Sequence, residues 1–86
     1  MIRYKYNEEK NNWLKENRNI SFNILLEKGI IVDIIDNRST LHPNQKELII
    51  LYENYCYSIP FVIEEDGSYF LKTAHMDRNL NKLYNK

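Results

Sequence analysis

Lys72, His75, Arg78, Lys82 and Tyr84 fall within thirteen positions near the end of the chain. An arginine guanidinium can grip a phosphate through two parallel hydrogen bonds and stabilise charge that grows on it. An imidazole titrates near neutrality, so His75 can accept or donate a proton. Lys72 sits between Leu71 and Thr73 on an extended segment and points away from both, either as a phosphate-binding cation or as a snorkelling edge residue. Arg78, His75 and Lys72 are therefore the catalytic candidates, with Arg78 first. Asp77 beside Arg78 offers the plainer reading of a solvated ion pair. Lys82 and Tyr84 join Lys10, Lys15 and Arg18 of an earlier helix as candidate RNA-binding residues. For Tyr84 the competing role is packing, and for the three earlier cations it is ordinary solvation. Cations and a histidine delivered to one edge by rigid elements suit an RNA-facing site.

Those elements are readable from alternation and turn chemistry. Residues 55–63 are a long apolar and aromatic run, and Glu65-Asp66-Gly67-Ser68 is a turn signal because Gly67 tolerates positive φ. Residues 69–75 form the returning strand, and a short basic helix starts at Met76 or Asp77 and runs to Tyr84. Upstream, Lys46–Tyr52 reads as a strand joined by the two-residue turn Glu53-Asn54. Pro60 cannot donate to a ladder, so its strand is bulged there or that stretch lies outside the pairing. At the other end, Ile2-Arg3-Tyr4-Lys5-Tyr6 alternates as a short strand. Asn7 caps a helix with Glu8 and Glu9 in its first turn, where the dipole favours acids, and Trp13 is its expected core anchor. Ser21 caps a second helix that Gly29 stops. Residues 30–35 are strongly β-branched, either an independent strand or the lead-in to a loop over residues 36–45. The expected architecture is α+β: an antiparallel sheet of three to four strands, two N-terminal helices packed on one face and a short C-terminal helix. The tyrosines of the strands are expected to pack across the sheet rather than stack bases.

At 86 residues the chain has room for one modest core, so residues 1–86 are one domain. Hydrophobic residues make up 43% of it, enough to fold rather than stay disordered. No apolar run approaches the length of a membrane span and the N-terminus carries no apolar signal segment, so a cytoplasmic protein with no membrane partner is expected. The single Cys56 is read as a buried thiol. His42, ahead of Pro43, is given a structural role or none. One cysteine and two distant histidines make no ligand cluster, so no metal or other cofactor is expected. The net charge is zero but uneven. Residues 1–20 carry five cations against three acids, residues 21–69 three against eight, and residues 70–86 four against one. If the two basic ends meet, they build a cationic face on a neutral protein.

The ordered set Tyr4-x-Tyr6-Asn7-Glu8-Glu9-Lys10, Ile20-Ser21-Phe22, Phe61-Val62, Phe70-Leu71-Lys72-Thr73, Arg78 and Tyr84 resembles the BrnT-type toxins, a RelE-like family of bacterial type II toxin–antitoxin modules. Pro43-Asn44-Gln45 and Pro60-Phe61-Val62 are similar to one subgroup. The sequence departs from the pattern at Arg18-Asn19, where better-known members have His-Gly, and at Asp77, where they often have Ser. The resemblance implies a RelE-like fold, inhibition of translation by mRNA cleavage, and a cognate antitoxin encoded by an adjacent gene. That antitoxin would occlude the site and bind operator DNA, so the toxin meets DNA only through it.

A ribonuclease needs no metal if the RNA 2′-hydroxyl attacks the adjacent phosphate with a base, an acid and a cation in place. RNA, free or on the ribosome, is then the substrate. The alternative is a non-catalytic member of the same fold that binds RNA or protein. A third reading is a small interaction domain whose sheet edge accepts a partner strand.

Overall fold

The computed structural model describes residues 1–38 and 44–86. Residues 39–43, which include His42, Pro43 and part of the expected loop, lie outside the described residues. The elements are β1 (Tyr4–Tyr6), α1 (Glu8–Arg18), α2 (Phe22–Lys28), β2 (Ile30–Asp36), β3 (Lys46–Tyr52), β4 (Tyr55–Ile63), β5 (Tyr69–Leu71), β6 (His75–Met76) and α3 (Arg78–Tyr84). Each helix starts where a short polar side chain replaces the missing intrahelical acceptor. Asn7 Oδ1 accepts from the Lys10 N–H at 3.0 Å, Ser21 Oγ from Ile24 at 3.2 Å, and Asp77 Oδ1 from Leu80 at 3.0 Å. No helix among the described residues is long and apolar enough to cross a membrane.

The chain is α+β, but its sheet is larger and of another kind than expected. Among the described residues it has six strands in the order β1-β5-β4-β3-β2, with β6 pairing β4. It is mixed rather than antiparallel, because β1 runs parallel to β5, with Tyr4 opposite Tyr69 and Tyr6 opposite Leu71. Residues 30–36 are a full strand, bulged between Ile31 and Asp33 as it pairs with β3. The strand expected over residues 69–75 is broken in two. Pro60 accounts for the break. It stays in register opposite Glu47, and its carbonyl accepts from the Lys72 N–H at 2.8 Å. In an antiparallel strand a residue's N–H and C=O point to the same neighbour. The missing Pro60 N–H therefore faces the interval where β5 has left β4 and β6 has not yet joined it.

Alternation divides the sheet into two faces. Leu48, Ile50, Tyr57, Ile59, Phe61 and Leu71 point to one face and are buried there under Leu14, Ile20, Phe22 and Leu25 of the first two helices and their junction. The buried Asn11 ties those helices together, accepting from the Phe22 N–H at 2.7 Å and donating to Asn23 at 3.2 Å. Trp13 is not the anchor of α1. It is 41% exposed while Leu14 is fully buried. Ile49, Cys56 and Leu80 form a second cluster on the opposite face, with Ile35, Leu51 and Tyr84 against it. α3 is held there by Asn81, whose Oδ1 accepts from the Cys56 N–H at 3.0 Å.

Gly29 is required by a close approach, not by a left-handed backbone. Its φ is −82°, but a Cβ there would collide with the Ile50 side chain and the Leu25 carbonyl. The β3–β4 turn puts both Glu53 and Asn54 at positive φ, 47° and 64°, the geometry of a two-residue hairpin.

Candidate functional site

α3 covers only one end of the second face. At the uncovered end, Glu47 of β3 and Ser58 of β4 point outward from the sheet and are nonetheless 3% and 0% exposed. Arg38 lies against Glu47. Its Nε and backbone N–H both donate to Glu47 Oε2, at 3.0 and 3.2 Å, and its Nη2 donates to Glu47 Oε1 at 2.8 Å. Ser58 Oγ adds a fourth hydrogen bond to Oε1 at 2.7 Å. The same Nη2 reaches Asp77 Oδ2 at 2.7 Å. A bidentate guanidinium–carboxylate pair of this kind is both directional and strong. Burial alone would lift the Glu47 carboxyl, but the bonds from Arg38 and Ser58 outweigh it and hold the group below its ordinary range. Asp77 follows the same balance, with Arg38 its main stabiliser. The carboxylates in turn push the Arg38 guanidinium further up.

This network floors a cleft of about 580 Å³ lined by Asn37, Arg38, Gln45, Glu47, Pro60, Lys72, Thr73 and His75. His75 is half-buried on β6, and burial is the main reason its imidazole titrates below the usual histidine value. Its Nε2 lies 3.9 Å from Asp77 Oδ2, too far for a hydrogen bond. A neutral imidazole facing a cleft is free to take a proton. The exposed Lys72, its Nζ 4.9 Å from the centre of the Phe70 ring, supplies a cation on the adjoining wall. Among the described residues no three His, Cys, Asp or Glu side chains converge as metal ligands.

His75 and Lys72 therefore come together, and Arg78 does not join them. It is exposed at the start of α3, outside the cleft lining, with no ion pair among the described residues. Asp77, the residue before it, turns into the network instead and caps the helix with its other oxygen. Tyr84 packs: its hydroxyl donates to Asp33 Oδ2 at 2.6 Å. Lys82 is exposed elsewhere on α3. Arg18 approaches the cleft from α1, donating through Nη1 to the Ala74 carbonyl at 2.7 Å. Lys10 lies over Trp13 at 4.1 Å, and Lys15 edges a separate hollow with Ile20 and Tyr52. The basic ends do meet through β1 and β5, but Arg3 and Lys5 are paired with Asp66, and Lys5 also with Glu64. At that seam the cations are thus paired with acids. Cys56 is buried, and burial raises its thiol further from reactivity.

Arg38, Glu47 and Ser58 are the residues that sequence reasoning missed. Glu47 carried a signal, since it is an acid that alternates onto the same face of β3 as the apolar Ile49 and Leu51. Arg38 carried none. Comparison with protein-family models, with curated proteins and with solved structures yields no match for this chain.

Proposed function

We propose that this protein is a ribonuclease toxin of the BrnT-like, RelE-like kind, acting in the cytoplasm and held in check by a cognate antitoxin from an adjacent gene. The observation that carries the reading is a neutral, half-buried His75 sharing a cleft with Lys72 and the Arg38–Glu47–Asp77 network. In the proposed reaction His75 takes the proton of an RNA 2′-hydroxyl. The freed oxygen bonds to the adjacent phosphorus, the bond to the 5′-oxygen breaks, and that oxygen takes a proton from water in the open cleft. The products are a 2′,3′-cyclic phosphate and a free 5′-hydroxyl. Lys72 meets the negative charge that builds on the phosphate, and a contact of that type contributes about 10²–10³ in rate. Arg38 holds Glu47 and Asp77 and sets the charge of the floor. Arg78, Lys82, Lys10 and Lys15 lie outside the cleft and serve RNA binding.

The binding-only alternative is favoured by a different observation. β2 ends the sheet, and Ile30, Ile31, Val32 and Ile34 on it are 64%, 42%, 38% and 41% exposed. An apolar edge strand accepts a partner's strand. Purified protein incubated with single-stranded RNA and with translating ribosomes separates the two readings: cleavage lost in His75→Ala supports the nuclease, and binding without cleavage supports the alternative.

A further inference from the structure

His75 borders two spaces. One is the polar cleft, and the other is a pocket of about 320 Å³ walled by Arg18, Ile20, His75 and Met76. We propose that this second pocket binds a nucleobase of single-stranded RNA, the base adjoining the phosphate that lies in the Lys72 cleft. The inference rests on the nucleolytic reading and adds to it where the substrate's base is held.

The walls match a base better than a phosphate. Ile20 and Met76 offer apolar surface, and Met76 is 56% exposed. A methionine thioether packs well against aromatic rings. Arg18 supplies a planar cation that is already ordered. Its Nη1 is fixed to the Ala74 carbonyl at 2.7 Å and lies 3.4 Å from Thr73 Oγ1, and its guanidinium carbon sits 5.0 Å from the centre of the Trp13 ring. Arginine planes are common platforms for splayed-out RNA bases. An arginine held in place beforehand loses little freedom when the base arrives. The exposure of Trp13 then has a use, as the support beneath Arg18. α1 ends at Asn19 in a left-handed turn, φ 56°, which lets Arg18 and Ile20 face one space from either side of it.

The chain has only two methionines, Met1 and Met76, so a methyl-labelled sample gives an easily assigned probe of the pocket. Adenosine, guanosine, cytidine and uridine 5′-monophosphates are titrated in turn, with inorganic phosphate as the control. The expected result is a ring-current shift of the Met76 methyl with each nucleotide, tighter binding of the purines, and no shift with phosphate. Arg18→Lys keeps the charge but not the plane and should weaken purine binding about 10-fold, within the range for loss of one stacking contact. Met76→Asp should weaken it as well. Equal effects of phosphate and nucleotides, an unmoved Met76 methyl, or unchanged affinity in Arg18→Lys would overturn the proposal. The two readings fail separately. Nucleotide binding without RNA cleavage keeps the pocket and removes the nuclease, whereas cleavage with an unmoved Met76 methyl keeps the nuclease and removes the pocket.

Discussion

Arg38→Ala takes the guanidinium away from the buried Glu47 and from Asp77 and leaves the backbone N–H bond to Glu47 in place.

 Counted atom by atom, the guanidinium bonds lost are two to Glu47, through Nε and Nη2, and one to Asp77, three in all. Among the described residues Glu47 then keeps Ser58 and the Arg38 backbone N–H. Breaking a fully buried pair from one side costs about 3–5 kcal/mol. Here the Arg38 side chain is 46% exposed, so water enters where it stood and the expected loss is about 2–3 kcal/mol. For a domain of this size that lowers the melting temperature by roughly 10–20 °C. The pH dependence gives the sharper test. In the native protein the Glu47 pKa lies below its unfolded value, so its contribution is present at neutral pH and is lost as the pH falls through the folded pKa. Without Arg38, burial dominates and the pKa moves above the unfolded value. The group then destabilises the variant at neutral pH, and that penalty fades on acidification as the carboxyl protonates. The gap between native protein and variant should be widest near pH 7.5 and should narrow towards pH 4. Urea melts of both proteins at the two pH values measure it. A gap that is the same at both, or below about 0.5 kcal/mol at pH 7.5, would refute the claim that Arg38 holds a buried, ionised Glu47.

Gly29→Ala should destabilise by about 1–3 kcal/mol in urea melts, since its Cβ meets Ile50 and the Leu25 carbonyl. Asn54→Gly should stabilise by about 0.5–1 kcal/mol by the same measurement, because Asn54 holds φ at 64° in the β3–β4 turn. Trp13→Ala should cost less than about 1.5 kcal/mol, well short of the 3–5 expected for a buried aromatic, because Trp13 is 41% exposed.

The parts of the fold that show in the sequence are those with local causes. Asn7 and Ser21 mark their helices, and the alternation of Lys46–Tyr52 and Tyr55–Ile63 marks the central hairpin. The parallel pairing of β1 with β5 has no local cause, because it joins segments more than sixty residues apart with no turn between them. The split into β5 and β6 was half legible. Pro60 announced an interruption, but its own strand stays in register and the neighbouring segment is the one that breaks. Trp13 misled because size and hydrophobicity were taken for burial. The buried face of α1 runs through Asn11 and Leu14, and Trp13 beside them falls on the flank.

The site divides in the same way. His75 and Lys72 were legible, because a strand end and its preceding turn bring them out together. Arg78 and Asp77 are neighbours whose roles hang on which one becomes the N-cap, and the cap went to the acid. The partnership of Arg38 with Glu47 depends on where Arg38, just past the end of β2, lies against β3, a relation that alternation and turn chemistry do not reveal.

The most direct measurement is the pH–rate profile of RNA cleavage by purified protein and by His75→Ala, with the cyclic-phosphate end identified in the product. A base must be unprotonated to act, so the wild-type rate should rise with pH through a value below that of an ordinary histidine, as burial of His75 requires. The variant should lose at least about 10² in rate and show no such rise. Wild-type protein that leaves RNA intact both free and on ribosomes, or a His75→Ala variant that cleaves as fast with the same profile, would contradict the account.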